Sequence, residues 1–348
     1  MTSKKRALVV CPGRGSYRPD TMNYLSNRNA LAQDRVLACD TYRNASDQKS
    51  VTELDTAPQF KGQLHVAGEN ASLLTFACSV SDASELNYAN YDVVGIMGNS
   101  MGFYTALALS GCLSFEDSIR LVETMAQYQH RNVIGGQVMY PIVDEQWMPS
   151  APQLAHISSI IEATREAGHQ AYWSINLGSH AVLGADKKGL QFLMKNLAPL
   201  EIGSRTFPIQ LPLHSAFHTP LMHETSLQAQ NDLDFLHFNA PNVPLIDGRG
   251  HIYRPKWADC TELKQYTLGA QVTDEYDFRK SLHAALTHCA PDVIIALGPG
   301  NALGGPLART LVQSRWHGVK TPADFTAVQK KNPMLLAFGV SKQRALLV

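Results

Sequence analysis

The stretch Asp92-Val93-Val94-Gly95-Ile96-Met97-Gly98-Asn99-Ser100-Met101-Gly102-Phe103 decides how the chain is read. Asp92 to Met97 is a short apolar run of the kind a buried strand requires, and Met101 to Leu113 is rich in Ala, Leu and Met, which favours a helix. Between them lies a G-x-S-x-G motif, Gly98 to Gly102. In a strand-to-helix elbow the chain turns so sharply that both flanking positions need a minimal side chain, and the serine hydroxyl is pushed out at the helix N-terminus. Ser100 can then reach a carbonyl carbon, and the Met101 backbone N–H, backed by the helix dipole, can stabilise the oxyanion that forms. A bare G-x-S-x-G also occurs in plain turns; the strand before it and the helix after it set this one apart. Phosphate cradling is the competing use of such loops. Neither this loop nor Gly298-Pro299-Gly300 ends in the Gly-Lys-Ser/Thr of a P-loop, and Gly13 to Gly15 does not fit a dinucleotide fingerprint.

Working outward, Ala7 to Cys11 reads as another short buried strand, running into the turn Pro12-Gly13-Arg14-Gly15-Ser16, and Glu69 to Ala83 has helical spacing. Ser114-Phe115-Glu116-Asp117 looks like the cap and first turn of a helix reaching about Gln129. At Gly135-Gly136 the texture changes. A strand Gln137 to Val143, a helix from Leu154 to Ala167, strands Ala171 to Asn176 and His180 to Gly184, a helix Lys187 to Asn196 and an extended Thr206 to Leu211 make a split βαβ order. The expected organisation is an α/β core from 1–133 and 206–317, a small inserted subdomain at 134–205, and a surface-packed tail from 318 to 348. Within the second core segment, Val243 to Asp247 is extended, Phe278 to His288 helical, Val293 to Leu297 a strand, and Leu303 to Leu311 a helix.

Bulk properties exclude several function classes. With 348 residues and 45% apolar content the chain can bury a large core. Lys plus Arg equals Asp plus Glu at 30 each, with no long run of like charge, so nucleic acid is not an expected partner. The start, Met1 to Arg6, is basic, but Ala7 to Cys11 is far too short for a signal-peptide core or a membrane span; a cytoplasmic protein without a membrane partner is expected. The six cysteines are scattered, with no C-x-x-C pair or zinc-ligand spacing, and read as buried free thiols, with no metal expected.

A serine nucleophile needs a base, and composition cannot choose among 13 histidines. The segment Leu213-His214-Ser215-Ala216-Phe217-His218-Thr219-Pro220-Leu221-Met222 closely resembles the histidine loop of the malonyl-CoA:acyl carrier protein transacylase family. The resemblance spans most of the chain. Cys11 to Ser16 resembles the family's P-G-Q-G-S loop, Gly98 to Asp117 its G-H-S-x-G elbow and following helices, and Asn176 to Gly184 its N-x-x-x-Q-x-V-x-x-G stretch, one residue shorter. Gln271 to Ser281 resembles the segment that orients the histidine, and Leu297 to Leu303 the G-P-G-x-x-L motif. The resemblance implies an α/β-hydrolase-like core with a parallel sheet and an inserted ferredoxin-like subdomain. It implies a Ser100–His218 dyad, with the Gln271 backbone carbonyl orienting the imidazole and Met101 and Arg14 giving the oxyanion N–H donors. It also implies ping-pong acyl transfer from acyl-CoA to the phosphopantetheine of an acyl carrier protein, with no permanently bound cofactor. Asn99, Met125, Asn176, His180 and Phe217 are the expected pocket residues, whereas His214 is expected to pack or hydrogen-bond locally.

The chain departs from the family where malonyl-using members carry Arg in an L-V-x-x-R-G pattern. Here the stretch reads Leu121-Val122-Glu123-Thr124-Met125-Ala126, and a thioether cannot pair a carboxylate. The expectation is an acyl group without a free carboxylate, acetyl or longer. Arg14, where the family has Gln, is either a relocated cation or a solvated loop side chain. Asn99 replaces the His before the nucleophile. Lys187, Lys188, Lys195, Arg279 and Lys280 are candidates for a basic rim facing an acidic carrier protein. Two rival readings stay open: an editing hydrolase that releases acyl groups from the carrier with water as acceptor, and a non-catalytic carrier-binding protein.

Overall fold

The computed structural model describes residues 3–131, 133–203 and 205–348, with backbone alone at 129–131, so Met1 and Thr2 of the basic start lie outside the described residues. Its main sheet has six strands in the order Ile252–Tyr253, Leu245–Ile246, Tyr91–Gly98, Lys5–Cys11, Val293–Ala296 and Leu335–Ala337. Neighbours run parallel except for the edge strand Ile252–Tyr253. The run Ala7 to Cys11 lies at the centre of this sheet, no residue in it more than 3% exposed. That double-sided burial is why its sequence is continuously apolar rather than alternating.

Parallel pairing of Cys11 with Gly98, and of Val10 with Ala296, brings three loops to one edge of the sheet. They are Pro12 to Ser16, the serine elbow, and Gly298 to Gly300, all following carboxyl ends of strands, where open parallel sheets place their ligand crevices. After the elbow come helices Gly102–Leu109 and Phe115–Arg131, and the Ser114 hydroxyl accepts from the Asp117 N–H at 3.0 Å, the expected cap.

A second sheet has the order Tyr276–Asp277, Ala171–Asn176, His180–Ala185, Gly136–Pro141 and Ile209–Leu211. Together with helices Ala151–Glu166 and Lys187–Asn196 it forms the ferredoxin-like unit, with its own core of Val138, Tyr140, Ile157, Ile161, Leu183 and Leu193. Two details differ from the sequence reading. The closing strand is Ile209–Leu211, beyond a boundary at 205, because Arg205–Phe207 instead pairs with Leu200–Ile202 as a separate hairpin. The short strand Tyr276–Asp277, from the main part of the chain, pairs parallel with Ile175 and Asn176 and so seams the two units together.

The segment from 318 is not a surface tail. It supplies helix Pro322–Lys331, the sheet strand Leu335–Ala337 and helix Ser341–Leu347, whose Leu347 is fully buried. Arg344 pairs with Asp82 at 3.5 Å and with Glu85, fastening that last helix to the core. A three-residue strand is too short to give a periodic signal, which is why the sequence reading missed it. All six cysteines are free, five of them buried and Cys260 half-buried. No helix among the described residues is long and apolar enough to cross a membrane.

Candidate active site

The elbow is built by steric exclusion. A Cβ on Gly98 would overlap the backbone of Gly102 and Phe103, and one on Gly102 would press on the Cys11 carbonyl and lie 2.7 Å from the Pro12 oxygen. Only glycine lets the Pro12 to Ser16 loop and the elbow approach this closely. Ser100 itself takes φ 54°, the left-handed region that turns its hydroxyl outward.

His218 arrives from the loop before helix His223–Asp232, also at positive φ, 60°, with its N–H held by the Val272 carbonyl at 2.8 Å. Its Nδ1 lies 2.6 Å from the Gln271 carbonyl, and a carbonyl can only accept, so Nδ1 carries the proton. Nε2 is then the acceptor, and the Ser100 hydroxyl donates to it at 2.7 Å. The imidazole is 1% exposed, and burial pushes its pKa down to about 4, with the Gln271 carbonyl pulling the other way. It is therefore neutral at pH ~7 and able to take the serine proton.

The pair opens into a cavity of ≈ 690 Å³, whose wall includes nine of the ten residues expected at the site: Ser100, His218, Met101, Arg14, Gln271, Asn99, Met125, His180 and Phe217. Asn176 is not among the cavity residues. Its Oδ1 accepts from the Gly178 N–H at 2.9 Å, closing the turn between two strands. Met125 is 3% exposed.

Arg14 is not a solvated loop side chain, for it is 7% exposed and its guanidinium donates to the Leu213 carbonyl at 2.7 Å. Burial lowers its pKa to about 10, against the attraction of Glu69. His214 does bond locally, Nδ1 to the Pro212 carbonyl at 2.8 Å, but it also lines the cavity. Burial, then the charge of Arg14, pushes its pKa down to about 3. His180 packs tilted against Phe207, ring centres 5.3 Å apart, with its pKa lowered to about 4 by burial and then by Arg309 and Arg205. Lys187, Lys188, Lys195, Arg279 and Lys280 are exposed and do not line the cavity.

Four side chains bonded around Ser100 and His218 carry no local sequence signal. Gln137 Nε2 donates to Ser174 Oγ at 2.8 Å, and Ser174 donates to the Phe217 carbonyl at 2.8 Å, tying the histidine loop to the small sheet. The Tyr276 hydroxyl donates to the Gly98 carbonyl at 2.8 Å, and its ring packs edge-on to His218 at 5.3 Å. Tyr104 donates to Gln271 Oε1 at 2.8 Å. Among the described residues no group of three or more His, Cys, Asp or Glu is placed to hold a metal ion.

No profile of a known protein family matches the chain. In sequence it is similar to the malonyl-CoA:acyl carrier protein transacylase of Haemophilus influenzae, 22% identical over 343 residues covering 94% of this chain and 99% of that one. It is also similar to the Bacillus subtilis transacylase, 25% identical over 209 residues, a match spanning 60% of this chain and only 62% of the relative. In structure it resembles the malonyl-CoA:acyl carrier protein transacylase of Synechocystis, with TM-score 0.73 at 17% identity over 98% of this chain and 100% of that one. The fold is therefore the α/β-hydrolase-like core with a ferredoxin-like subdomain. In sequence and in fold alike the chain is similar to malonyl-CoA:acyl carrier protein transacylases.

Proposed function

We propose that this chain, standing beside the malonyl-CoA:acyl carrier protein transacylases in sequence and fold, is an acyltransferase of fatty-acid or polyketide biosynthesis. It moves an acyl group from coenzyme A, or from a carrier, to the phosphopantetheine of an acyl carrier protein through an ester on Ser100. The observation that carries this reading is the hydrogen-bonded chain from the Gln271 carbonyl through His218 to Ser100, opening into the cavity.

The chemistry follows from that chain. His218 Nε2 takes the Ser100 proton as Oγ attacks the thioester carbonyl, and the Met101 and Arg14 backbone N–H groups receive the negative oxygen. Collapse expels the thiolate, which leaves with the proton from Nε2. The incoming pantetheine thiol then gives its proton to Nε2 and attacks the ester; the bond from the acyl carbon to Oγ breaks and Nε2 returns the proton to Ser100. No resident cofactor enters these steps. Among the described residues the cavity wall includes Arg14, Arg18, Arg205 and Arg309 and no carboxylate, a charge balance that suits a phosphate-bearing thioester.

The acyl group in this reading lacks a free carboxylate. Met125, in the cavity wall, offers none of the donors such a group requires. A carboxylate held against Met125, away from the cavity's arginines, would be buried unpaired at a cost of several kcal/mol.

The test is intact-mass measurement of the protein mixed with a panel of acyl-CoA thioesters, with and without holo carrier protein. An uncharged acyl adduct on Ser100 that survives alone and moves to the carrier is the expected result. A strong malonyl preference overturns the substrate class; decay to free acid without the carrier turns the acceptor into water; no adduct with any thioester ends the reading.

A further inference from the structure

Gln271 reaches both members of the dyad. Its backbone carbonyl accepts from His218 Nδ1–H at 2.6 Å, and its side-chain amide donates from Nε2 to the Ser100 carbonyl at 3.1 Å. Because the Ser100 carbonyl can only accept, the amide nitrogen must face it and the amide oxygen must face Tyr104, which fixes the tyrosine hydroxyl, 2.8 Å away, as donor. Burial pushes the Tyr104 phenol well above its ordinary range, so that proton stays in place. With the 2.7 Å Ser100–His218 bond, these contacts close a ring: Ser100 hydroxyl, imidazole, Gln271 backbone, Gln271 side chain, Ser100 carbonyl.

The ring matters because its two reacting residues do not hold themselves in place. Ser100 and His218 both sit in the left-handed backbone region, where residues with side chains persist only when surroundings over-determine them. The Gln271 amide ties one to the other, but its last torsion is soft and broad. Tyr104, on the helix that follows the elbow, supplies the contact that fixes that torsion. Tyr104 is 4% and Gln271 2% exposed, so an amide that lost this donor would hold a buried, unpaired oxygen and would turn to repair it.

We infer that Tyr104 is a positioning residue of the dyad: by fixing the Gln271 side-chain amide it keeps the carbonyl that orients His218 in register with the elbow that presents Ser100. The inference rests on the reading of Ser100 and His218 as a working pair, and is independent of the acyl group they carry.

The test uses the full chain and a fluorophosphonate probe, which phosphonylates an activated serine: Ser100 Oγ bonds to phosphorus, fluoride leaves, and His218 accepts the hydroxyl proton. Tyr104→Phe lowers the maximal labelling rate about tenfold, the worth of one net hydrogen bond, and leaves the half-saturating probe concentration unchanged. Gln271→Met keeps the backbone carbonyl, removes the amide and gives the same loss. The double variant loses no more than either single one, since both break one connection. Thermal unfolding checks that each protein is folded, and Gln271→Met carries the test should Tyr104→Phe not fold. A wild-type labelling rate in the folded variants, losses that multiply in the double variant, or a change confined to the half-saturating concentration overturns the inference. If the wild-type protein labels no faster than Ser100→Ala, the dyad reading itself fails and takes the inference with it.

Discussion

The buried histidine of the dyad makes the protein acid-sensitive in a way that can be worked out and measured. His218 is 1% exposed, and burial lowers its pKa from 6.5 to about 4. In the unfolded chain the same imidazole returns to 6.5. Between these values the unfolded chain binds a proton that the folded protein does not, so stability falls as pH falls through this window, and the loss is complete below about 4. The linkage relation gives a loss of about 2 kcal/mol at pH ~5, rising to about 3 kcal/mol below pH ~4. His218→Gln removes this contribution while His180 and His214, whose pKa values are lowered in the same direction, remain in both proteins and cancel. Urea unfolding of the two proteins at pH ~7.5 and pH ~5 should show the wild-type protein losing about 2 kcal/mol more than the variant. In the wild-type protein, acylation of Ser100 should stay level below neutral pH and halve near pH about 4 rather than near 6.5. Equal losses in the two proteins, or an acid limb near 6.5, would refute the burial argument.

Three further outcomes test other parts of the structure. Gly102→Ala drives a methyl group into the Cys11 and Pro12 carbonyls; it should cost about 3 kcal/mol in urea unfolding and lower Ser100 acylation by about 100-fold, since the displaced loop carries Arg14, the proposed oxyanion donor. Met125→Arg places a fork in the cavity wall and should raise kcat/KM for malonyl-CoA relative to acetyl-CoA by on the order of 100-fold; an unchanged ratio would show that position 125 does not face the acyl terminus. Arg344→Ala strips a partner from buried Asp82 and from Glu85 and should cost about 2 kcal/mol of unfolding free energy, whereas no change would mean that these ion pairs do not fasten the last helix to the core.

What the sequence alone determined here is what sterics and burial impose on neighbours along the chain. A side chain on Gly98 would strike the Gly102 backbone within the five-residue turn, so the elbow and its nucleophile are legible from residues in a row, whereas Gly102 is kept small by the distant Cys11 and Pro12 carbonyls. The central strand Lys5–Cys11 and the βαββαβ order of the small unit are legible for the same reason, since double-sided burial and helical spacing are local patterns. His218 was reached only through resemblance to known proteins, because it stands 118 positions from Ser100. Only the tertiary structure decided that Arg14 is buried rather than solvated, that Asn176 closes a turn, that the last 31 residues supply a sheet strand, and that Tyr104, Gln137, Ser174 and Tyr276 hydrogen-bond around Ser100 and His218. Each of those outcomes depends on partners brought together by chain folding, the Tyr104–Gln271 contact across 167 positions, and a polar side chain carries no mark of which distant group will satisfy it.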